Sequence, residues 1–426
     1  MNQPTVMPHT SPSSAERPEP APQPRTQDSN RPPILLTNKD LEGQGELILP
    51  PRQKFKNSSW MTKNAGKRIH LVAHWEIQIS TEHITSTGGH EFLCSYSWKQ
   101  RVSPTIYVPG TPAKRTPPRL PKQLDPDEGF HWCDQHGYRA PRHQFEPIFQ
   151  ALVVMNPTVR FNDIDIVVNK NILQRLYNFA SFKRGSSAFD VDLDMVQDIL
   201  FISRREAKAK KKQCSGYGRN FEKSFTTEDP QLPQAKGHHR AIRYKLGGLS
   251  FVVRIEADGY YSDVEEDDEL PNEFFRNMLG NTTQTIIEHR SSRPAIALAQ
   301  GSMVPHNKIS ELKSKSNNGA ALEQMWFGRT PYLCCAKHKE SPKGLIGAAD
   351  FICLKQSNFE EWEIKNQKHL LRLVWFLNEL RRITVEKTSK EAAVLVMTEK
   401  GAPLQIYEAK SSFGALPREI VERFRN

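Results

Sequence analysis

The chain has 426 residues, with 59 Lys and Arg against 48 Asp and Glu, which gives a formal net charge of +11. No stretch approaches the ~20 apolar residues of a membrane helix, and no basic-then-apolar signal pattern opens the chain, so neither a membrane protein nor a secreted protein is expected. Six Cys in a chain of this length do not make a disulfide scaffold, and we expect a protein of the nucleus or cytoplasm.

The first part of the chain, residues 1–55, is rich in Pro, Gln, Ser and Thr and has few periodic apolar residues. Such a segment buries too little apolar surface to offset the entropy that ordering it would cost. We therefore predict a disordered tail over 1–55. One domain over 56–426 follows, because no repeat and no clean linker interrupts the later sequence.

Apolar periodicity predicts a mixture of strands and helices in this domain. The first predicted elements are strands at 70–80 and 92–98, an extended Pro-rich loop at 103–126 anchored by residues 106–108, a strand at 164–168 and a helix at 169–182 with Asn169 as N-cap. The middle of the domain is predicted to contain strands at 189–194 and 198–204, a short helix within 216–225, a hairpin of 240–246 and 249–260 that turns at Gly247 and Gly248, and an acidic loop at 263–269. The last predicted elements are strands at 296–299 and 308–313, a helix at 320–327, a strand at 332–336, a long helix at 359–382, a hairpin of 392–397 and 404–407, and a helix at 417–424. This order predicts an α+β (mixed α/β) fold around one sheet. His238 and His239, at the start of a strand, are expected at the surface.

Three acidic pieces follow one another along the chain. Glu222 lies on the short predicted helix, Glu256 and Asp258 end a strand, and Glu311 is followed by Lys313 in another strand. Side chains two residues apart on a strand project to the same face. If the two strands are neighbours, three carboxylates and one ammonium group therefore meet at one edge of the sheet.

Carboxylates are the ligands that Mg²⁺ or Mn²⁺ favours in proteins. Such an ion neutralises phosphate charge and activates a water molecule, and a nearby Lys stabilises charge that develops in the reaction. Glu222 adds a further ligand, and Gln324, on the next predicted helix, is placed to hold the Lys or a nucleic-acid backbone. The net charge of +11 fits a partner that carries phosphates.

The order Glu, Asp, Glu-x-Lys and Gln resembles the pattern of the PD-(D/E)XK nuclease superfamily. Four longer strings resemble successive motifs of the DXO-like decapping nuclease family, and the chain looks like a divergent fungal-type member. The strings are GYGRNFE at 216–222, RIEADGY at 254–260, ISELKSKS at 309–316 and LEQMWFGRTPYL at 322–333. The resemblance is strongest over 216–336.

This resemblance implies a central mixed sheet flanked by helices and an activity on RNA 5′ ends, of the decapping, pyrophosphohydrolase or 5′–3′ exonuclease type. It implies a Mg²⁺ or Mn²⁺ cofactor and an RNA partner, with a 5′–3′ exoribonuclease as a protein partner. Carried over residue by residue, it implies metal ligands at Glu222, Glu256, Asp258 and Glu311, with Lys313 and Gln324 as the other active-site residues. The chain departs from the family in the long link between Asp258 and Glu311 and in Ser314, which stands where the family has Thr.

Two further Glu-x-Lys triplets, at 363–365 and 408–410, have no such context. The first lies in the long predicted helix, where its charged residues are expected to be exposed, and the second has no following Gln helix. The alternative function is a nuclease fold without activity, which binds RNA or supports a partner exonuclease. The location of Glu311 tests the site, because a Glu311 carboxylate on the far side of the sheet would exclude it.

Overall fold

A computed structural model describes most of the chain after residue 60. The described residues are 61–62, 65–100, 104–132, 136, 139, 143–182, 188–205, 210–212, 216–262, 284–285, 294–315, 318–338, 342–389, 391–411 and 414–425. They belong to one compact unit, Asn57–Asn426. The tail predicted over 1–55 and the acidic loop predicted at 263–269 lie outside the described residues.

Strands dominate the described part of the chain. They are β1 (Ala65–Val72), β2 (Glu91–Lys99), β3 (Thr105–Pro109), β4 (Lys114–Arg115), β5 (Lys122–Gln123), β6 (Phe130–Trp132), β7 (Ile166–Asn169), β8 (Phe189–Val196), β9 (Ile199–Arg204), β10 (Lys210–Lys212), β11 (Thr226–Thr227), β12 (Ala235–Leu246), β13 (Leu249–Ala257), β14 (Gly259–Tyr260), β15 (Gln284–Thr285), β16 (Ile296–Gln300), β17 (Ile309–Lys313), β18 (Tyr332–His338), β19 (Leu345–Cys353), β20 (Ala392–Met397) and β21 (Leu404–Ala409).

The described α-helices are α1 (Glu146–Met155), α2 (Lys170–Ala180), α3 (Gly218–Phe225), α4 (Asn318–Gly328), α5 (Gln356–Lys387) and α6 (Arg418–Arg425). Two 3₁₀ turns, His74–Glu76 and His306–Lys308, complete the helical structure of these residues. None of the described helices has both the length and the apolar character needed to cross a lipid bilayer.

The strands form two large sheets and one two-stranded ribbon. Twelve strands pair in the order β1-β21-β20-β8-β9-β7-β13-β12-β2-β3-β16-β15, seven pair in the order β11-β4-β14-β17-β18-β19-β5, and β10 pairs with β6. The twelve-stranded sheet is mixed, because β7 runs parallel to both β13 and β9 while β12 and β13 are antiparallel. The predicted mixed α/β architecture with flanking helices is confirmed, but the expectation of a single sheet is wrong.

Helix α5 shows why the sequence folds as it does. Leu370, Leu373, Leu377 and Leu380 recur every three or four residues and are fully buried in the largest apolar cluster. No Pro or Gly interrupts its 32 residues. The helix predicted at 359–382 is therefore present and extends by about one turn at each end.

Two local predictions are wrong in their extent. The strand predicted over 70–80 ends at Val72, because the Ala73 amide donates to Glu76 Oε2 at 2.6 Å and closes a 3₁₀ turn. The loop predicted at 103–126 contains β3, which pairs with β2 and β16. The apolar residues 106–108 do anchor this segment, since all three are fully buried.

The two large sheets are joined covalently at Asp258. Strand β13 ends at Ala257 in the twelve-stranded sheet, and β14 begins at Gly259 in the seven-stranded sheet, where Gly259 pairs with Ser310. A Cβ on Gly259 would lie 3.1 Å from the Ala113 carbonyl oxygen, so glycine permits the close approach of the chains. The strands that carry Glu256 and Glu311 are thus not neighbours in one sheet, contrary to the sequence expectation.

The burial pattern of α5 predicts a sharp contrast between two substitutions on the same helix. Leu373→Ala should lower the free energy of unfolding by about 2–5 kcal/mol, because it leaves a cavity in the core. Ile364→Ala should change it by less than about 0.5 kcal/mol, because Ile364 is 74% exposed. Urea unfolding of both variants measures the difference, and similar losses from the two would contradict this account of the core.

Candidate active site

The acidic site is built around the junction at Asp258. Asp258 Oδ2 accepts a hydrogen bond from the backbone amide of Leu312 at 2.8 Å, which fixes β17 beside the junction. The Leu312 side chain points into a small apolar cluster that also contains Phe221 of α3. Because side chains alternate along a strand, Glu311 and Lys313 project to the opposite side, toward Asp258.

Glu311 lies between two ammonium groups. Lys170 Nζ is 2.9 Å from Glu311 Oε2, and both side chains are about 6% exposed. Lys313 Nζ bonds to Glu311 Oε1 and lies 3.9 Å from Asp258 Oδ2. Burial alone would raise the pKa of the Glu311 carboxyl, but the charges of Lys170 and Lys313 outweigh it and hold the pKa below its usual range.

The pKa values of Glu222 and Asp258 shift in the opposite direction, above their usual range. Burial raises the pKa of Glu222 well above its usual range, and the neighbouring carboxylates of Asp258 and Glu256 raise it further. Burial, followed by the charge of Glu311, also raises the pKa of Asp258. The four carboxylates are therefore close enough to oppose each other's ionisation, which is the condition that a bound cation relieves.

A cleft of about 850 Å³ opens at this site. Its wall includes Glu222, Glu256 and Asp258 together with Lys170. Basic side chains form much of the remaining wall, namely Arg204, Arg219, Lys223, Lys236 and Arg254. The volume lies within the ~300–1,000 Å³ range of sites for small ligands and nucleotides.

The sequence expectation for the acidic residues can now be compared with their positions. Glu222, Asp258, Glu311 and Lys313 come together, and Glu256 lies on the same cleft wall as Asp258. Glu311 points to the side of its sheet on which Lys170 and Asp258 lie, although the described cleft lining includes neither Glu311 nor Lys313. Gln324 is half-buried with its Oε1 atom unpaired, and no contact in the described part of the chain joins it to Lys313; its role stays a prediction.

The chemical type of these ligands, carboxylate oxygens, suits a hard divalent cation. Carboxylate oxygens are the preferred ligands of Mg²⁺ and Mn²⁺, and the crowding that raises the Glu222 pKa favours a positive charge among them. Among the described residues, no three Asp, Glu, His or Cys side chains already stand around a common point as metal ligands. As they stand, Glu311 and Asp258 instead face the lysine side chains.

Lys170 is a residue of this acidic site that the sequence reasoning missed. It is the first residue of α2 and follows β7, which runs parallel to β13 with Asn169 beside Arg254. A cation in the first turn of a helix is unfavourable, because the N-terminal end of the helix dipole is positive. A lysine at the start of a helix that follows a buried strand is therefore unusual. This was the sequence feature by which Lys170 could have been found.

Gly328, in the string LEQMWFGRTPYL, makes room for this lysine. A Cβ on Gly328 would lie 3.3 Å from Lys170 Cδ and 3.0 Å from Thr330 Oγ1. The end of α4 therefore packs directly on the lysine stem, and any larger residue at 328 would crowd it.

The adjacent histidines His238 and His239 are buried, so the expectation that they lie at the surface is wrong. They are 5% and 4% exposed, and both line the cleft. His238 Nδ1 is 3.0 Å from Ser97 Oγ, and the His239 ring lies 4.3 Å from that of His136. The strand pattern around them gave no sign that Ser97 of β2 and the His136 ring would cover this end of β12.

The triplet at 363–365 also departs from its expected exposure. Glu363 is 3% exposed and accepts hydrogen bonds from Trp326 Nε1 at 2.7 Å and from the Ser86 amide at 2.9 Å. It ties α4 and an N-terminal loop to α5. This Glu-x-Lys is structural, whereas the triplet at Glu311 lies beside Asp258 of the cleft wall.

The family model described as "Domain of unknown function (DUF8563)" matches residues 66–425, and the chain belongs to this family. A comparison with curated proteins finds none that matches.

Among solved structures, the fold is similar to Rai1 and Dxo1 proteins of yeasts, which are members of the decapping nuclease family that the motifs resemble. S. pombe Rai1 is 10% identical with a TM-score of 0.49 and covers 79% of this chain and 98% of its own. Candida albicans Rai1 in complex with pU5 and Mn²⁺ is 11% identical with a TM-score of 0.48, covering 84% and 99%. K. lactis Dxo1 in complex with manganese is 9% identical with a TM-score of 0.45, covering 82% and 97%. At these scores, support for a function has to come from the residues of the site itself.

Burial of His238 predicts how acid changes stability. Burial, then the charge of Arg240, lowers the pKa of His238 well below the usual 6.5. Below pH 6.5 the unfolded chain therefore binds a proton that the folded chain does not, so this contribution is present above pH 6.5 and is lost as the pH falls. Replacing His238→Gln removes that linkage.

Between pH 6.5 and 5, we expect the free energy of unfolding of the natural chain to fall more steeply than that of His238→Gln. The difference in slope should approach ~1.4 kcal/mol per pH unit. Urea denaturation at a series of pH values measures it. Parallel pH profiles for the two proteins would show that His238 is not held neutral by burial.

Proposed function

We propose that the chain is a divalent-metal-dependent hydrolase of RNA 5′ ends, of the decapping, pyrophosphohydrolase or 5′–3′ exonuclease type. The single observation that carries the proposal is the junction at Asp258, which brings two sheets together so that Asp258, on the cleft wall, lies beside Glu311 and Lys313. In the proposed site the carboxylates of Glu222, Glu256, Asp258 and Glu311 hold Mg²⁺ or Mn²⁺.

Each protein group has a distinct task in this proposal. A divalent ion held by the carboxylates would neutralise phosphate charge and activate a water molecule. Lys313 is about one-third exposed, and the charges of Glu311 and Asp258 outweigh the effect of burial and raise its pKa, so its ammonium group stays charged. Lys313 donates hydrogen bonds to a phosphoryl oxygen as negative charge develops on it. Glu311, which stays ionised, orients Lys313.

The basic wall of the cleft supports RNA as the substrate. An acidic centre alone repels a polyphosphate, whereas the basic side chains around it attract the backbone. Arg219 and Lys223 lie one turn apart on α3 next to Glu222, and Lys236, which lies 3.6 Å from Glu228, also lines the cleft. These side chains are the candidate contacts for the phosphates of a single-stranded 5′ end.

A second candidate function has its own supporting observation. Both carboxylate oxygens of Glu311 are bonded to lysines, and the described acidic side chains do not surround one point. A chain that kept this arrangement would bind RNA without cleaving it, and would support a partner 5′–3′ exoribonuclease. For either function we propose a location in the nucleus or cytoplasm, where such RNA is found.

The hydrolase proposal predicts that activity depends on two isosteric changes. Asp258→Asn and Glu311→Gln should each lower the hydrolysis rate at least ~100-fold, because each removes a charge that the reaction uses. The measurement is release of 5′ products from capped, triphosphorylated and monophosphorylated RNA with Mg²⁺ or Mn²⁺. Addition of EDTA should abolish the reaction.

The matched control is Glu408→Gln, which changes the same Glu-x-Lys sequence outside the cleft. Glu408 accepts a hydrogen bond from Ser389 Oγ on the surface, and its replacement should leave the rate unchanged. Equal rates for the natural chain and both cleft variants would reject the hydrolase. Retained RNA binding without turnover by the natural chain would favour the second candidate.

RNA binding through the basic wall has a separate test. The double substitution Arg219→Gln/Lys236→Gln should weaken binding of a 5′-monophosphorylated oligonucleotide about tenfold at low salt and reduce the slope of log K against log salt by about 1–2. Fluorescence anisotropy at several salt concentrations measures both quantities. An unchanged slope would remove these side chains from the RNA path.

A further inference from the structure

Helix α3 depends on a side chain from outside its own segment. It has only eight residues, and a helix that short is marginal in water on its own. The residue before it, Tyr217, provides no side-chain hydrogen bond to the first amides of the helix. Two of those amides are bonded instead to Asp127, which lies 92 residues before Arg219 in the chain.

Asp127 uses both oxygens of its carboxylate for this purpose. Oδ2 accepts a hydrogen bond from the Arg219 amide at 3.2 Å, and Oδ1 accepts one from the Asn220 amide at 2.9 Å. An acidic side chain at this end also suits the positive end of the helix dipole. Because two successive amides are held, Asp127 fixes both the position of α3 along its axis and its rotation about that axis.

The segment that carries Asp127 is itself held in place. Asn220 Nδ2 donates hydrogen bonds to the carbonyl oxygens of Asp125 at 2.9 Å and Pro126 at 3.1 Å. The Asp127 amide donates to the Gly216 carbonyl oxygen at 2.8 Å. Just before this segment, β5 pairs with β19 in the seven-stranded sheet. The start of α3 is therefore fixed to the same sheet that contains β17.

The two faces of α3 have different surroundings. One face is buried in the apolar cluster that also contains Leu312 of β17. The other face brings Arg219, Glu222 and Lys223 to the cleft wall. Asp127 is only 2% exposed, and the described wall of the cleft does not include it. Asp127 therefore influences a ligand in the cleft through α3 and not by contact.

We infer that Asp127 is a positioning residue for RNA, which holds α3 so that Arg219 and Lys223 meet the phosphates of the 5′ end. The inference rests on the proposed function for the presence of RNA in the cleft, and it adds a residue outside the cleft on which that binding depends. It also has a definite sign. Removing an acidic side chain would by charge alone tighten the binding of a polyanion, whereas loss of the hold on α3 weakens it.

The test is the binding of a 5′-monophosphorylated oligonucleotide to the full-length protein, measured by fluorescence anisotropy at several salt concentrations. Asp127→Ala should weaken binding about fivefold at low salt and reduce the slope of log K against log salt by about 1, because the basic side chains of α3 are no longer held at the phosphates. Asp127→Asn, which keeps one acceptor oxygen, should give an intermediate affinity. Tighter or unchanged binding by Asp127→Ala would overturn the inference.

A double-mutant cycle identifies the route of the effect. In a chain that already carries Arg219→Gln and Lys223→Gln, Asp127→Ala should cause no further loss of binding, because the side chains through which Asp127 acts are gone. A further loss of the same size in that background would reject α3 as the route.

Asp165→Ala is the matched control for a general loss of stability. Asp165 Oδ2 accepts a hydrogen bond from the Ser250 amide at 2.8 Å, and Asp165 is not among the described residues that line the cleft. Asp165→Ala should leave RNA binding unchanged, with thermal unfolding showing that each variant is folded at the assay temperature. Equal weakening by Asp165→Ala and Asp127→Ala would reject the positioning role.

Failure of the proposed function gives a different result. If the natural chain does not bind the oligonucleotide, RNA is rejected as the ligand, and with it the role of Asp127 toward RNA. Amide hydrogen exchange over residues 218–225 then still tests the hold on α3, because Asp127→Ala should speed this exchange and Asp165→Ala should not. Equal exchange rates in the two variants would reject Asp127 as the residue that holds the helix.

Discussion

The hydrogen bond from the Leu312 amide to Asp258 connects the two halves of the site. Asp258 is the residue at which the chain leaves the twelve-stranded sheet and enters the seven-stranded sheet, and Leu312 lies in β17, which pairs with β14 in the second sheet. The bond fixes the register of β17 relative to β14, and a shift by one residue would turn Glu311 away from Asp258 and Lys170. Glu256 comes with the first sheet and Glu311 with the second.

Bringing these carboxylates close together is electrostatically unfavourable, and neighbouring ammonium groups offset part of this cost. Glu311 remains ionised because Lys170 and Lys313 lie against its two oxygens, whereas burial and the neighbouring carboxylates raise the pKa of Glu222. Within the described residues, the ammonium groups of the centre are thus concentrated at Glu311. The cation of the proposed function and the basic cleft wall would both bring positive charge to the side of Glu222.

The sequence predicted which side chains share one face of a strand or helix better than it predicted which strands pair with each other. Alternation along a strand correctly placed Glu311 and Lys313 on one face, and the leucines of α5 correctly placed a long core helix. The pairing of strands was not predictable in the same way, because the short β14 that connects the sheets is only two residues long and has no periodicity to read. Lys170 was missed because its contact with Glu311 spans 141 residues of sequence.

The three Glu-x-Lys triplets show that the contacts of such a motif depend on where it lies in the fold and not on the tripeptide sequence. Glu408 forms a surface hydrogen bond, and Glu363 is a buried acceptor for an indole and an amide. Glu311 has ammonium groups on both oxygens and the carboxylate of Asp258 nearby. The same short motif therefore belongs to a charged centre at Glu311 and holds the core together at Glu363.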